Sequence, residues 1–285
     1  MSGQVHPGVP DAASEPSGGG RARPGAVLRW VLRGNRRSLL GWAIAVAAVS
    51  AIYASFADLL DTGDMEALIA SMPDGLTTAL GYDRLDSDAG FVTSTVYGLL
   101  GPILLLVFAI GQGARLVAGL EEDGALELEL SAAIDRRRVV VERWAALVVQ
   151  VAVLVVALSA AVAAAVAGFG LDVTASGILA AGVGLWALAA ALGTVTLAVG
   201  AATGRRAVAL AVGAGLAVVA YLADAAAGLL ADGAWLEAVS PFSWYLAAEP
   251  LETGVDVTGV LGLTALTAVG LVAAVGAFDR RDLGA

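Results

Sequence analysis

The chain of 285 residues contains no cysteine and no lysine, and its one histidine is His6. Without thiols it forms no disulfide and no thiolate metal site, and one histidine is too few for a histidine metal centre. A phosphate-binding loop needs the lysine of the G-x-x-x-x-G-K-[ST] pattern to reach the nucleotide phosphates. We therefore expect no thiol chemistry, no histidine metal site and no ATP hydrolysis through such a loop, and we assign no catalytic residue, no metal site and no bound cofactor to this chain.

Charged residues are also scarce, since they make up 15% of the chain while hydrophobic residues make up 59%. A soluble globular chain is less apolar and more charged, so this composition predicts an integral membrane protein. Residues 1–24 are the exception, because they are rich in Gly, Pro, Ser and Ala and hold no apolar run. We predict a disordered tail there and no signal peptide.

Six apolar stretches follow the tail, each of about 20 residues, which is enough for a helix to cross a hydrocarbon core of roughly 30 Å. Backbone amides in lipid must be paired within the segment, and the stretches lack the alternation of barrel strands. We therefore predict an all-α fold in which residues 25–285 form a six-helix transmembrane domain. Its spans are Leu39–Ala57, Phe91–Ile110, Trp144–Ala167, Gly177–Val199, Ala207–Leu230 and Val260–Phe278.

The arginines indicate the orientation of these spans. Fifteen of the sixteen fall on one side, counting Arg115 and Arg143 in the loop between the second and third spans, and only Arg84 falls on the other. Because basic loops stay inside, both termini are predicted to be cytoplasmic. The outer segments 58–90, 168–176 and 231–259 carry fourteen carboxylates without metal-ligand spacing. A hydrated acidic rim explains them, with attraction of Ca²⁺ or of a cationic substrate as the alternative.

Residues Ala26 to Ser38 place Leu28 and Val31 on one helical face and Arg29 and Arg33 on another. This amphipathic pattern predicts a helix in the inner membrane interface, followed by a turn between Gly34 and Gly41 into the first span. A simple orientation anchor is the alternative interpretation.

The loop between the second and third spans contains an acidic run with a glycine, Glu121 to Gly124, and an apolar-acidic run from Ala125 to Leu130 follows it. The chain has no cytoplasmic domain to cover these leucines, so the run predicts a contact with a partner. Leucine and glutamate alternate, but a single strand would leave open edges, so a short helix is an equal prediction.

On the outer side, Trp235, Phe242, Trp244 and Tyr245 surround Pro241. Aromatic side chains gather at bilayer interfaces, and a re-entrant hairpin at residues 235–250 is the second interpretation. Few polar residues lie within the spans. We expect Gln150 to bond a neighbouring helix, while Asp224 lies near the outer end of its span, at a water-facing position or in a transport path.

Three segments resemble the membrane subunits of type-2 ABC exporters, including the antibiotic and multidrug permeases. Glu121–Arg138 matches that family's progression of acidic run, Gly, Leu-Glu-Leu, Ser and Arg-Arg, with Ala125 in place of the usual Thr and no Pro before the arginine cluster. Ser240–Leu246 with Glu249–Leu251 resembles the family's outer segment, and Phe278–Leu283 resembles its cytoplasmic terminus.

The resemblance implies a homodimer or heterodimer of permease subunits, each docked on a separate ABC ATPase that binds ATP and Mg²⁺. The lysine-free composition, rich in alanine and arginine, indicates a prokaryote, so we expect the inner membrane as the location. It implies export of a hydrophobic small molecule or antibiotic, and no nucleic acid partner. The residues expected to couple to the ATPase are Glu121, Glu122, Leu126, Glu127 and Arg33. Those expected to line the transport path are Tyr97, Tyr221 and Asp224.

Two rival classes remain at this stage. An ion-coupled secondary transporter usually has repeated halves and several intramembrane carboxylates, of which only Asp224 is present. An intramembrane hydrolase needs a nucleophile and a base that converge within the spans, and no such pair is apparent.

Overall fold

The computed structural model describes residues 25–55, 71, 87–124, 135–227, 230, 233–246 and 248–281, and no strand occurs among them. This part of the chain is all-α, as predicted. The helices are α1 (Ala26–Ser55), α2 (Asp88–Glu122), α3 (Arg136–Phe169), α4 (Ala175–Thr203), α5 (Arg206–Ala227), α6 (Ala234–Val239), α7 (Ser243–Leu246), α8 (Pro250–Thr253) and α9 (Val257–Arg280). The predicted tail of residues 1–24 lies outside the described residues.

Five of these helices, α2, α3, α4, α5 and α9, are long and apolar enough to cross a membrane. The described helices therefore form a multi-pass membrane protein. Helix α1 contains the predicted first span but is not among the five, so the count of six spans stays a prediction.

Helix α1 differs from the prediction of an interfacial helix, a turn and a separate span. It runs without a break from Ala26 to Ser55, and Gly34 and Gly41 both lie inside it. Isolated glycines weaken a helix by only about 1 kcal/mol each relative to alanine, and packing against α3 outweighs that cost. The predicted turn between Gly34 and Gly41 is therefore absent.

Short polar caps fix where the helices begin. Ser87, Thr174 and Asp256 precede α2, α4 and α9, and each side chain accepts a backbone N–H of the first turn at 3.0–3.1 Å. Such caps satisfy amides that have no partner within the helix. Gly170 and Gly204 end α3 and α4 with φ of 70° and 65°, a left-handed conformation that favours glycine.

Helix α4 is the centre of the bundle, since 78% of its most apolar segment is buried, against 17% for α9. It packs against α2, α3, α5 and α9, and α1 packs mainly against α3. Helix α2 contains two wider π-helical turns, Thr93–Leu100 and Arg115–Gly119. The second of these turns lies beside the polar network described below.

The aromatic segment before α9 folds back into the bundle as α6, α7 and α8. Phe242 and Tyr245 are buried, whereas Trp235 is 63% exposed. The Tyr245 hydroxyl donates to the backbone carbonyl of Tyr97 in α2 at 3.0 Å, and its ring covers Gly184 of α4. The segment therefore closes the end of the bundle opposite most of the arginines.

Candidate functional site

The arginine-rich end of the bundle is where α2, α4 and α9 end and α3 and α5 begin. Arg281, just after α9, forms an ion pair with Glu121 of α2 at 2.7 and 3.0 Å, and also donates to the carbonyl of Ala201 in α4 at 3.1 Å. A side chain on Gly204 would collide with the Arg281 guanidinium and the Glu121 carboxylate, so the turn after α4 needs glycine for space as well as for φ. Arg281 thus joins three helix ends.

Further contacts bring α3 and α5 into the same network. Arg136 donates to the Arg281 carbonyl at 3.1 Å, and Arg137 forms an ion pair with Asp279 at 2.5 Å. Glu122 accepts the backbone N–H of Arg206 at 2.8 Å, at the start of α5. Polar contacts therefore join the end of α2 to α5 and to the residues at the end of α9.

Glu142 of α3 caps the start of α1. Its two carboxylate oxygens accept the backbone N–H groups of Gly25, Val27 and Leu28 at 2.9–3.2 Å. Arg138 donates to the same carboxylate at 2.8 Å. A helix N-terminus carries unpaired amides and a partial positive charge, so this carboxylate ties α1 to α3 electrostatically.

Arg143 lies one residue further along α3 and is fully buried, with 0% of its surface exposed. Its guanidinium donates to the backbone carbonyl of Leu116, inside the π-helical turn Arg115–Gly119 of α2. A side chain that inserts into the backbone ladder distorts a helix at that point. The wide turn of α2 and the buried arginine of α3 thus fit together.

A second polar cluster, buried at Asn35 and Gln150, links α1, α2 and α3. The Asn35 amide donates to the Gln150 side chain at 2.6 Å, and Arg115 donates to the side chains of Asn35 and Gln112 at 3.1 and 3.2 Å. The prediction that Gln150 bonds a neighbouring helix is confirmed. The placement of Arg115 and Arg143 in a loop was wrong, because α2 extends past Ile110 and α3 begins before Trp144.

The structure brings only some of the predicted coupling residues together. Glu121 and Glu122 lie side by side in the network of the arginine-rich end. Arg33 is exposed on α1 and, among the described residues, forms no hydrogen bond or ion pair with either glutamate. Leu126 and Glu127 lie outside the described residues.

The predicted transport-path residues lie towards the opposite end. Tyr97 is buried, and its hydroxyl is 3.4 Å from the Ser159 hydroxyl of α3. Tyr221 is 39% exposed and meets the Phe242 ring edge to face at 5.4 Å between centroids. The Asp224 carboxylate accepts a hydrogen bond from the Ser243 hydroxyl at 2.6 Å. The aromatic segment before α9 therefore contacts all three residues.

A groove of about 430 Å³ runs between α2 and α5, with Tyr221 and Phe242 at one end. Its walls are almost entirely apolar, and residues from both helices contribute, including Ile103, Val107, Leu210 and Val218. Clefts of this size hold small apolar molecules. Tyr97 does not line this groove.

Sequence reasoning missed Glu142, Arg143 and Arg281 as organising residues. Glu142 and Arg143 stood in a run of charges next to an apolar stretch, which is typical of a span boundary. Their partners, Gly25 and Leu116, are far away in the sequence or on another helix, and no local pattern identifies them.

A sequence model of the family described as ABC-2 family transporter protein matches residues 31–283 of the chain. No curated protein matches the chain.

Proposed function

Because the chain belongs to the ABC-2 family of transporter proteins, we propose that it is the permease subunit of an exporter driven by a separate ABC ATPase. The cargo we propose is a hydrophobic small molecule, such as an antibiotic, moved out of the cell. ATP and Mg²⁺ bind the ATPase subunit. Two permease subunits, identical or different, form the translocation unit in the inner membrane of a prokaryote, with both termini in the cytoplasm.

The observation that carries this proposal is the polar network of the arginine-rich end. A positive-inside orientation puts that end in the cytoplasm, where an ATPase docks. Force applied at Glu121 or Glu122 reaches α9 and α4 through Arg281 and α5 through Arg206. Closure of the ATPase subunits then moves several helix ends together.

The docking contact itself falls on the segment after Glu122. We propose that Leu126 and Glu127 touch the ATPase and that Glu121 and Glu122 transmit the movement, since both glutamates are joined to other helices of this chain. Leucines that alternate with glutamates, as they do from Leu126 to Leu130, suit a partner surface with an apolar pocket and a basic rim.

The groove between α2 and α5 supports an apolar cargo. It reaches Tyr221 and Phe242, and Phe242 is followed directly by Ser243, the partner of Asp224. Movement of α5 relative to α2 changes the width of this groove, so the helix that Glu122 holds at one end also forms a wall of the proposed path.

Two substitutions that introduce positive charge at Leu126 and Glu127, the proposed docking residues, test the proposal. We expect Leu126→Arg combined with Glu127→Arg to reduce co-purification of the ATPase encoded nearest to this gene by at least about ten-fold, the effect of losing roughly 1.4 kcal/mol of binding free energy. These substitutions leave the Glu121–Arg281 ion pair in place, unlike a deletion of residues 121–130.

Glu252→Arg is the matched control, because Glu252 is exposed on α8 at the opposite end of the bundle. It should retain the ATPase at the wild-type level. Equal ATPase recovery from the docking variant, at equal yield of monodisperse permease, would refute the docking assignment.

A further inference from the structure

Helix α1 carries four arginines along one face. At about 100° per residue, Arg29, Arg33, Arg36 and Arg37 fall within an arc of roughly 100°, and they extend over about 12 Å of the helix axis. All four side chains are exposed. We call these four residues the arginine stripe.

The arginine stripe differs from the six arginines whose guanidinium groups join helices or pair within α3. Arg115, Arg136, Arg137, Arg138, Arg143 and Arg281 each donate to an acceptor of this chain. Within the described ranges, none of the four stripe side chains donates a hydrogen bond or forms an ion pair. Four positive charges on one face therefore have no protein anion among the described residues to balance them.

The same face of α1 becomes apolar immediately after the arginine stripe. Leu40 and Ile44 fall within the same arc and are 62% and 68% exposed. Leu40 lies only about 4.5 Å further along the axis than Arg37. Taking α1 as the first of the six predicted spans, we place these exposed apolar side chains against lipid tails and the arginine stripe at the depth of the lipid headgroups. Trp30, 59% exposed, is at the same level, where tryptophan is common.

We propose that the arginine stripe is a binding site for the headgroups of anionic phospholipids. A guanidinium is always charged and presents paired N–H donors that match two oxygens of a phosphate. Four such groups in line above an apolar face fit lipids whose tails lie along Leu40 and Ile44. An excess of negative headgroup charge also attracts basic segments close to the membrane surface.

The continuity of charged and apolar surface favours lipid over the ATPase as the occupant. A soluble protein that covered the arginine stripe would have to stop within one helical turn of Leu40, at the edge of the hydrocarbon. The inference also gives Arg33 a different partner from the ATPase contact predicted from the sequence.

The test uses the purified full-length chain in a neutral detergent, with the thermal midpoint measured during titration with dioleoyl-phosphatidylglycerol. We expect a rise of about 5 °C in the midpoint of the wild-type chain, because a ligand that binds only the folded state stabilises it. Dioleoyl-phosphatidylcholine should give no comparable rise. The double variant Arg36→Gln with Arg37→Gln should lose at least half of the phosphatidylglycerol effect, and Arg29→Gln with Arg33→Gln provides a second variant of the stripe.

Arg205→Gln with Arg280→Gln is the matched control, since it removes the same charge from exposed arginines outside the stripe and should keep the full effect. The inference is overturned if phosphatidylcholine stabilises the wild-type chain equally, or if both stripe variants respond like the control. An equal rise with inorganic phosphate would assign the stripe to a free anion. Loss of ATPase co-purification in the stripe variants with an unchanged lipid effect would assign it to the ATPase.

Discussion

Arg143→Ala is expected to lower the free energy of unfolding by about 3 kcal/mol or more. The substitution removes a charged hydrogen bond to the Leu116 carbonyl, which contributes roughly 1.5–3 kcal/mol, and leaves unfilled volume at a site with 0% exposure. The Leu116 carbonyl, which lies in the π-helical turn, is then left without this donor. In a chain of this size the midpoint of thermal unfolding should fall by roughly 10 °C.

Arg205→Ala serves as the control, because Arg205 is an exposed arginine at the same end of the bundle. Its midpoint should stay within about 2 °C of the wild-type value, as is usual for surface substitutions. The midpoint of Arg143→Lys should lie between those of Arg143→Ala and Arg205→Ala, since lysine keeps the charge but not the guanidinium geometry. A midpoint for Arg143→Ala that matches the control would show that the buried guanidinium does not stabilise the junction of α2 and α3.

Gly113→Leu is expected to abolish folding of the chain. A Cβ at this position would overlap the backbone carbonyl oxygen of Gly193 and lie 3.1 Å from the Thr196 Cβ, so α2 and α4 could not approach as they do. Overpacking of this kind costs about 1–3 kcal/mol for small additions, and a leucine adds four carbons against backbone that cannot move aside. Close helix contacts in membranes depend on such small residues. The measurement is the yield of monodisperse protein by gel filtration in detergent.

Gly111→Leu is a closely matched control, two residues earlier on the same helix. A Cβ on Gly111 would meet no atom within 4 Å, so this variant should give a wild-type yield. If Gly113→Leu were also monodisperse at the wild-type midpoint, the contact between α2 and the central helix would not have the geometry described above.

The helical fold could be predicted from the sequence because the relevant signals are local. Runs of about 20 apolar residues predict helices through the requirement for internal backbone pairing, and five of the helices are long and apolar enough to span. The capping residues Thr174 and Asp256 stand directly before α4 and α9. Gln150 could be assigned to a helix contact because a polar side chain deep in an apolar run needs a partner.

The ends of the helices were harder to predict. A span assigned from hydropathy ends where the first charged residues occur, whereas the helix itself continues. Residues 136–143 form the first two turns of α3, because arginine and glutamate are good helix formers and Arg137, Glu142 and Arg143 have partners outside this helix. Similarly, Gly34 and Gly41 suggested a turn after the first helix, but Asn35, which lies between them, is held inside α1 by a hydrogen bond to Gln150.

The organisation of the arginine-rich end could not be read from the sequence at all. Its ion pair joins Glu121 to Arg281, and its cap joins Glu142 to Gly25, so each contact spans more than a hundred residues. The resemblance of the loop to a known family identified Glu121 and Glu122 as important, but only the structure shows that both are bound within this chain.

The energy source of transport tests the central claim most directly. Efflux of a set of hydrophobic fluorescent dyes can be followed in cells that produce this chain with the neighbouring ATPase, in its active form or in a form that binds but does not hydrolyse ATP. We predict efflux that requires this chain and the active ATPase, and that continues after ionophores collapse the proton and sodium gradients. Efflux that persists with the inactive ATPase and stops with the ionophores would contradict the account and identify an ion-coupled transporter.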